Sequence, residues 1–139
     1  MKLLDIIVCD DIRQEVDGKQ SLIGVYNDLQ FIFPSNQAPW PISLKIGVFV
    51  RFKLDQKESI PDFFEINFFQ NGNLISNFNG NLKIPENTIN FNLVLVNNAF
   101  ILPGPGQITF EIIFKNSGNI INKLIPEYSL NVISNTTSI

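Results

Sequence analysis

The sequence contains no histidine, one cysteine, one tryptophan and one methionine in 139 residues. Without histidine it lacks the commonest general base, proton shuttle and metal ligand. A lone Cys9 excludes both an intrachain disulfide and a Cys–His nucleophile pair, and reads as a buried structural thiol. No run approaches the ~18 apolar residues of a membrane-spanning helix. Met1 to Cys9 superficially fits a lipoprotein leader, but Asp5 interrupts its apolar stretch and Val8 stands where a small residue belongs. The expectation is a cytoplasmic protein with no cofactor.

Charge is also sparse, at 17% of residues, with ten Lys and Arg against thirteen Asp and Glu and a net charge of −3. The cations are scattered singly, so no stretch neutralises several phosphates at once, and neither nucleic acid nor a membrane surface is the expected partner. Gly104-Pro105-Gly106 is no phosphate cradle, because it precedes a strand and proline removes a needed N–H. Dispersed acids and the lack of a D-x-D-x-D-G loop exclude a calcium loop of that kind, and no metal is expected. Asp10 and Asp11 are neighbours on a strand and point to opposite faces. A two-carboxylate hydrolase would need Asp28, Asp55, Asp62 or Glu65 carried to one of them by folding. The reading is a protein that is not an enzyme.

What the chain does have is a hydrophobic period of two along its whole length, the mark of half-buried strands. In Ile42 to Lys53, Ile42, Leu44, Ile46, Val48, Val50 and Phe52 share one face, while Lys45, Gly47, Phe49, Arg51 and Lys53 lie on the other. Turn signals then predict about eight strands, near 4–15, 19–32, 42–53, 62–69, 73–84, 88–97, 107–115 and 119–133. Two irregular stretches remain, Phe33 to Pro41 and Asn97 to Gly106, both rich in proline. The expected fold is all-β, an antiparallel two-sheet β-sandwich, Ig-like or C2-like, forming one domain over residues 1–139 without an internal repeat.

Three glycine turns set the expected registers. At Asn71-Gly72 a two-residue type I′ loop would oppose Phe68 to Ile75 and cross a dry face with a wet one. A three-residue loop with a glycine bulge instead pairs Phe68 with Leu74, Ile66 with Ser76 and Phe64 with Phe78. The same loop at Asn116-Ser117-Gly118 pairs Phe114 with Ile120, Phe110 with Leu124 and Glu111 with Lys123. At Val16-Asp17-Gly18 it sets Glu15 opposite Lys19, with Leu22 or Ile23 facing inward.

The opening Cys9-Asp10-Asp11-Ile12-Arg13-Gln14-Glu15, then Gly18-Lys19 and Ser21-Leu22-Ile23-Gly24-Val25-Tyr26, resembles an uncharacterised family of small bacterial proteins with a C-D-D-x-R-x-E … G-K-x-S-L-x-G-V-Y opening hairpin. The resemblance implies a bacterial origin and supplies no catalytic residues.

Asp11, Arg13 and Glu15 alternate onto one strand face, with Arg13 between two carboxylates. They read either as a charged ladder steadying the first hairpin or as a recognition face for a protein. Trp40, between Pro39 and Pro41, either plugs an open end of the fold or presents an aromatic contact to a partner or a sugar ring. Of thirteen phenylalanines, Phe49, Phe63 and Phe69 fall on nominally wet faces and together would form a patch for self-association. Asparagine is frequent together with Ile and Phe, all of AT-rich codons, and reads as genome composition. The leading expectation is a non-catalytic binding or assembly module, recognising a protein or its own copies through a sheet face or edge. The alternative is a carbohydrate-binding module using Trp40 and an Asn-rich face.

Overall fold

The computed structural model describes residues 1–34, 40–55 and 57–137, the side chains of 32–34 and 136–137 apart. Its strands are β1 (Lys2–Gln14), β2 (Gln20–Val25), β3 (Leu29–Pro34), β4 (Ile42–Lys53), β5 (Phe63–Gln70), β6 (Asn73–Asn81), β7 (Asn90–Leu102), β8 (Gly106–Asn116), β9 (Asn119–Leu124) and β10 (Leu130–Thr137). They form a four-stranded sheet ordered β2-β1-β4-β7 and a six-stranded sheet ordered β3-β10-β8-β5-β6, with β9 also paired to β8. Among the described residues, helix is limited to a 3-10 turn at Val16–Gly18, and none is long and apolar enough to cross a membrane.

The alternation read from the sequence becomes the core. Ile46, Val48, Val50 and Phe52 of β4 are buried with Phe64, Ile66 and Phe68 of β5 and Ile108, Phe110, Ile112 and Phe114 of β8 in one cluster shared by both sheets. Phe52 meets Phe114 edge-on at 4.8 Å, while Phe68 contacts the rings of Phe78, Phe100 and Phe110. Such ring pairs add about 0.5–1.5 kcal/mol beyond simple burial. Truncating Phe68, at the centre of three of them, is the single core change expected to cost most, about 3–5 kcal/mol.

Two expected strands are each broken. Residues 19–32 divide at Tyr26-Asn27-Asp28: β2 stays against β1, whereas β3 crosses to the other sheet and runs parallel to β10. Residues 119–133 divide around Pro126, which has no N–H to give a ladder. There β9 and β10 follow one another along the same edge of β8, opposite Ile112–Asn116 and Gly106–Ile108 respectively. The fold therefore has more strands than the turn signals suggested, and one of its pairings is parallel. A further expected break is absent: β7 runs on to Leu102 through an irregularity opposite Leu44 and Ile46, where Asn97 Oδ1 accepts the Ala99 N–H at 2.9 Å. Of the proline-rich stretch before β4, residues 35–39, including Pro39, lie outside the described residues.

The β5–β6 and β8–β9 registers differ from expectation by two residues. Asn71 and Gly72 both have positive φ (53° and 76°), as do Ser117 and Gly118 (50° and 83°), so both loops are two-residue turns of the I′ kind. The face conflict that argued against such a loop is resolved inside the strand. An extra residue, Ile75 in β6 and Ile121 in β9, bulges after the first two pairs and packs against the core. Phe68 thus pairs with Ser76, Ile66 with Phe78 and Phe64 with Gly80. Phe114 pairs with Asn122 and Ile112 with Leu124. Glu111 and Lys123 still form an ion pair at 3.5 Å, now diagonally.

This shared geometry exposes an internal repeat that periodicity alone does not show. Phe64-Glu65-Ile66, Phe68, Gly72-Asn73 and Ile75 recur as Phe110-Glu111-Ile112, Phe114, Gly118-Asn119 and Ile121. Across the β5–β8 ladder Phe64 faces Phe114, Ile66 faces Ile112 and Phe68 faces Phe110. The two hairpins are therefore related by a pseudo-two-fold axis through the Ile66–Ile112 pair.

Candidate functional site

The segment carrying the opening motif forms an arm. β1 pairs with β4 only from Lys2 to Cys9; beyond Cys9 it continues with β2 alone, in the expected register of Asp11 opposite Ile23 and Arg13 opposite Ser21. Ile12 and Leu22 face each other across the arm and pack on the outer surface of the four-stranded sheet against Cys9 and Phe49. This settles the alternative at Leu22 and Ile23: Leu22 turns inward, and Ile23 is exposed.

Several motif residues fix the arm in place. Cys9 is fully buried, its thiol donating to the carbonyls of Asp11 (3.3 Å) and Gly47 (3.7 Å), and burial pushes its pKa up. Ile12 and Cys9 lie so close to Gly47 that a side chain there would crowd both. Asp10 accepts a hydrogen bond from the Tyr26 hydroxyl while its carboxylate lies over Gly24, whose φ of +66° suits glycine. Asp11 accepts from Lys45 Nζ at 2.9 Å and from the Ile12 N–H at 2.9 Å. The Lys45 hydrogen bond holds its carboxyl below the usual range, helped by the charges of Lys45 and Arg13.

The expected Asp11–Arg13–Glu15 ladder is thus only partly formed. Arg13 approaches Asp11 at 3.9 Å, but the closer cation is Lys45 of β4, a long-range partner. Glu15 is exposed and makes no ion pair among the described residues. Trp40 is half-buried, packs against the shared core and meets Phe31 edge-on at 5.7 Å. It lies beside β3 at one edge of the six-stranded sheet. The Asn-rich face lies at the other edge, where Asn79 donates to Asn77 and Asn77 to Asn67, both at 2.5 Å. The two elements of a sugar site are not brought together.

The three wet-face phenylalanines are not brought together either, because β4 and β5 belong to different sheets. Phe49 is buried beneath the arm. Phe63 lies under Lys115, and Phe69 pairs with Leu74 at the other end of β5. Among the candidate acids, Asp62 Oδ2 accepts the Ser117 N–H at 3.0 Å, Glu65 pairs with Lys115 at 3.5 Å and Asp55 Oδ1 accepts the Lys57 N–H at 3.1 Å.

Between arm and sheet a groove of about 560 Å³ remains, lined by Asp5, Ile7, Gly18, Lys19, Gln20, Leu22, Phe49, Arg51 and Asn92. Arg51 lies 5.5 Å over the Phe49 ring and pairs with Asp5 at 3.6 Å. The one sequence signal for this site is Phe49 itself, an aromatic set among Lys45, Gly47 and Arg51 on a wet face. A larger cavity, about 620 Å³, lies by the start of β1, where Lys2 and Lys53 stand opposite each other in register. It is lined by none of the motif residues.

Comparison with curated proteins returns no significant match. A family model does match, over residues 4–120, from β1 to the second residue of β9. The chain belongs to the family of unknown function DUF6941.

Proposed function

We propose that this protein is a non-catalytic binding module of the bacterial cytoplasm, built as a two-sheet β-sandwich, which engages a protein partner through the outward face of its β1–β2 arm. The supporting observation is that Ile12 and Leu22 on the arm's other face pack toward the sheet, while this face is left open. Val16, Ile23 and Val25 are 81%, 38% and 56% exposed, beside an Arg13 side chain that is 69% exposed. Apolar side chains ringed by charge on one raised element are the usual composition of a recognition patch. The edges at β6, β9 and β2 are less suited to that role. β6 and β9 carry bulges, and β2 carries the left-handed Gly24, devices that blunt edge-to-edge pairing.

A second copy of the chain is the first partner to test. Light scattering at micromolar concentration is expected to show an assembly that Ile23→Asp combined with Val25→Asp disperses. A wild-type monomer, with no lysate protein retained by wild type and lost by that double variant, overturns the proposal. The carbohydrate reading is weaker, since Trp40 and the asparagine ladder occupy opposite sheet edges. A glycan array with no Trp40-dependent hit removes it.

A further inference from the structure

We infer that the groove beneath the arm is a binding site for a small monocarboxylate with an apolar body. The site is separate from the arm's outward face and does not depend on the protein-binding reading.

Ile7 and Phe49 form an apolar base on the outer side of a sheet, where polar side chains are the rule, and Leu22 of the arm packs down beside them without filling the space. A volume of about 560 Å³ falls within the range of pockets that take small ligands.

The rim decides the ligand's charge. The residues that line the groove include two cations, Lys19 and Arg51, and one anion, Asp5, an excess of one positive charge within the lining, with Glu15 outside it across the hairpin from Lys19. Asp5 is already paired with Arg51, through a single guanidinium nitrogen at 3.6 Å. Arg51 is also held against the Phe49 ring, so its guanidinium is positioned, with donors to spare, beside the apolar floor. Lys19 makes no ion pair among the described residues. Asn92 adds an amide. The Gln20 amide is engaged, its Nε2 donating to Gln14 Oε1 at 3.2 Å and to the Gly18 carbonyl at 3.3 Å. A donor-rich rim with one surplus positive charge matches a carboxylate; the nearby Asp5 disfavours a dianion such as a phosphate monoester. The apolar floor requires that the carboxylate be attached to something it can cover, a short aliphatic chain or a ring.

The test uses the full-length ¹⁵N-labelled chain titrated with 3-phenylpropionate and, separately, with 3-phenylpropanol, which has the same ring without the charge. Saturable shifts are expected at the amides of Gly18, Lys19, Gln20 and Asn92, with the alcohol binding roughly tenfold more weakly. Lys19 lies on an exposed turn, and Lys19→Gln is expected to leave the rest of the spectrum unchanged and to weaken the acid about threefold to tenfold while leaving the alcohol unaffected. Absence of saturable shifts at millimolar acid, shifts confined to residues outside the groove, or equal affinity for acid and alcohol would each overturn the inference. None of these outcomes bears on whether the outward face of the arm binds protein.

Discussion

The Asp10 carboxylate lies in the space that a β-carbon on Gly24 would occupy, and the Tyr26 hydroxyl donates to that same carboxylate. The arm therefore leaves the sheet at a point where a positive φ, a missing side chain and a hydrogen bond depend on one another. Gly24→Ala is expected to destabilise the fold by about 1–3 kcal/mol, combining left-handed strain with displacement of Asp10. In an Asp10→Ala background the same change should cost less, because only the backbone strain remains. A double-mutant cycle by denaturant unfolding measures the difference, and strictly additive effects would show that the two positions are not coupled.

Asp11 links the arm to β4 through Lys45, and its carboxyl is held below its ordinary value of 3.8. A depressed folded-state pKa contributes stability that is present above the unfolded value and lost as the pH falls through the folded one. Asp11→Asn keeps an oxygen for the Ile12 N–H and removes the charge. It should be less stable than wild type at pH 7, with the gap closing as the pH drops below about 3.8. Added salt should narrow the gap as well, since Lys45 and Arg13 are solvent-exposed. A gap that does not change with pH would assign the loss to packing.

The two I′ loops differ at one position that requires positive φ, occupied by Asn71 in the first and Ser117 in the second. Asparagine tolerates that region better than serine. Ser117→Asn is expected to stabilise the protein by about 0.5 kcal/mol, and Asn71→Ser to destabilise it by a similar amount. The Ser117 N–H bond to Asp62 is a backbone contact and survives the change. Thermal unfolding of both variants reads the sign directly.

Tyr128 stacks on Phe110 at 5.5 Å, and its hydroxyl is buried without a hydrogen-bond partner among the described residues. Burial, with the Asp28 charge secondary, pushes its pKa up. An unsatisfied buried hydroxyl costs about 1–3 kcal/mol, so Tyr128→Phe should be neutral or stabilising. A loss above about 1 kcal/mol in chemical denaturation would mean that the hydroxyl is satisfied in solution.

Strand faces were legible because period-two alternation directly reports which side is dry, and the core face of Ile42 to Phe52 is as expected, whereas Gly47 and Phe49 on its opposite face are buried too, under the arm. Hairpin registers were not. Past the first few positions, a three-residue loop and a two-residue loop followed by a bulge put the same side chains inward; they differ in turning Leu74 and Ile120 inward or exposing them in favour of Ile75 and Ile121, a choice between adjacent apolar residues that the hydrophobic pattern cannot make. Ile75 and Ile121 are the residues that distinguish the two, and both look like ordinary strand positions. The break at Tyr26-Asn27-Asp28 did carry a signal, since Asn and Asp are depleted in strands, but nothing in the pattern shows that the chain changes sheet there. At the site, the Asp11–Arg13–Glu15 spacing correctly placed charge on the arm. Lys45, Arg51 and Asn92 come from strands whose neighbours only the folded chain determines.

The pseudo-two-fold axis between Ile66 and Ile112 has a consequence for the borders of the sheet. A hairpin whose first strand pairs antiparallel with that of its own twin is self-complementary, as β5 and β8 are here. The flanks break that symmetry: β10 and β3 carry the sheet on beyond β8, while β6 ends it beyond β5.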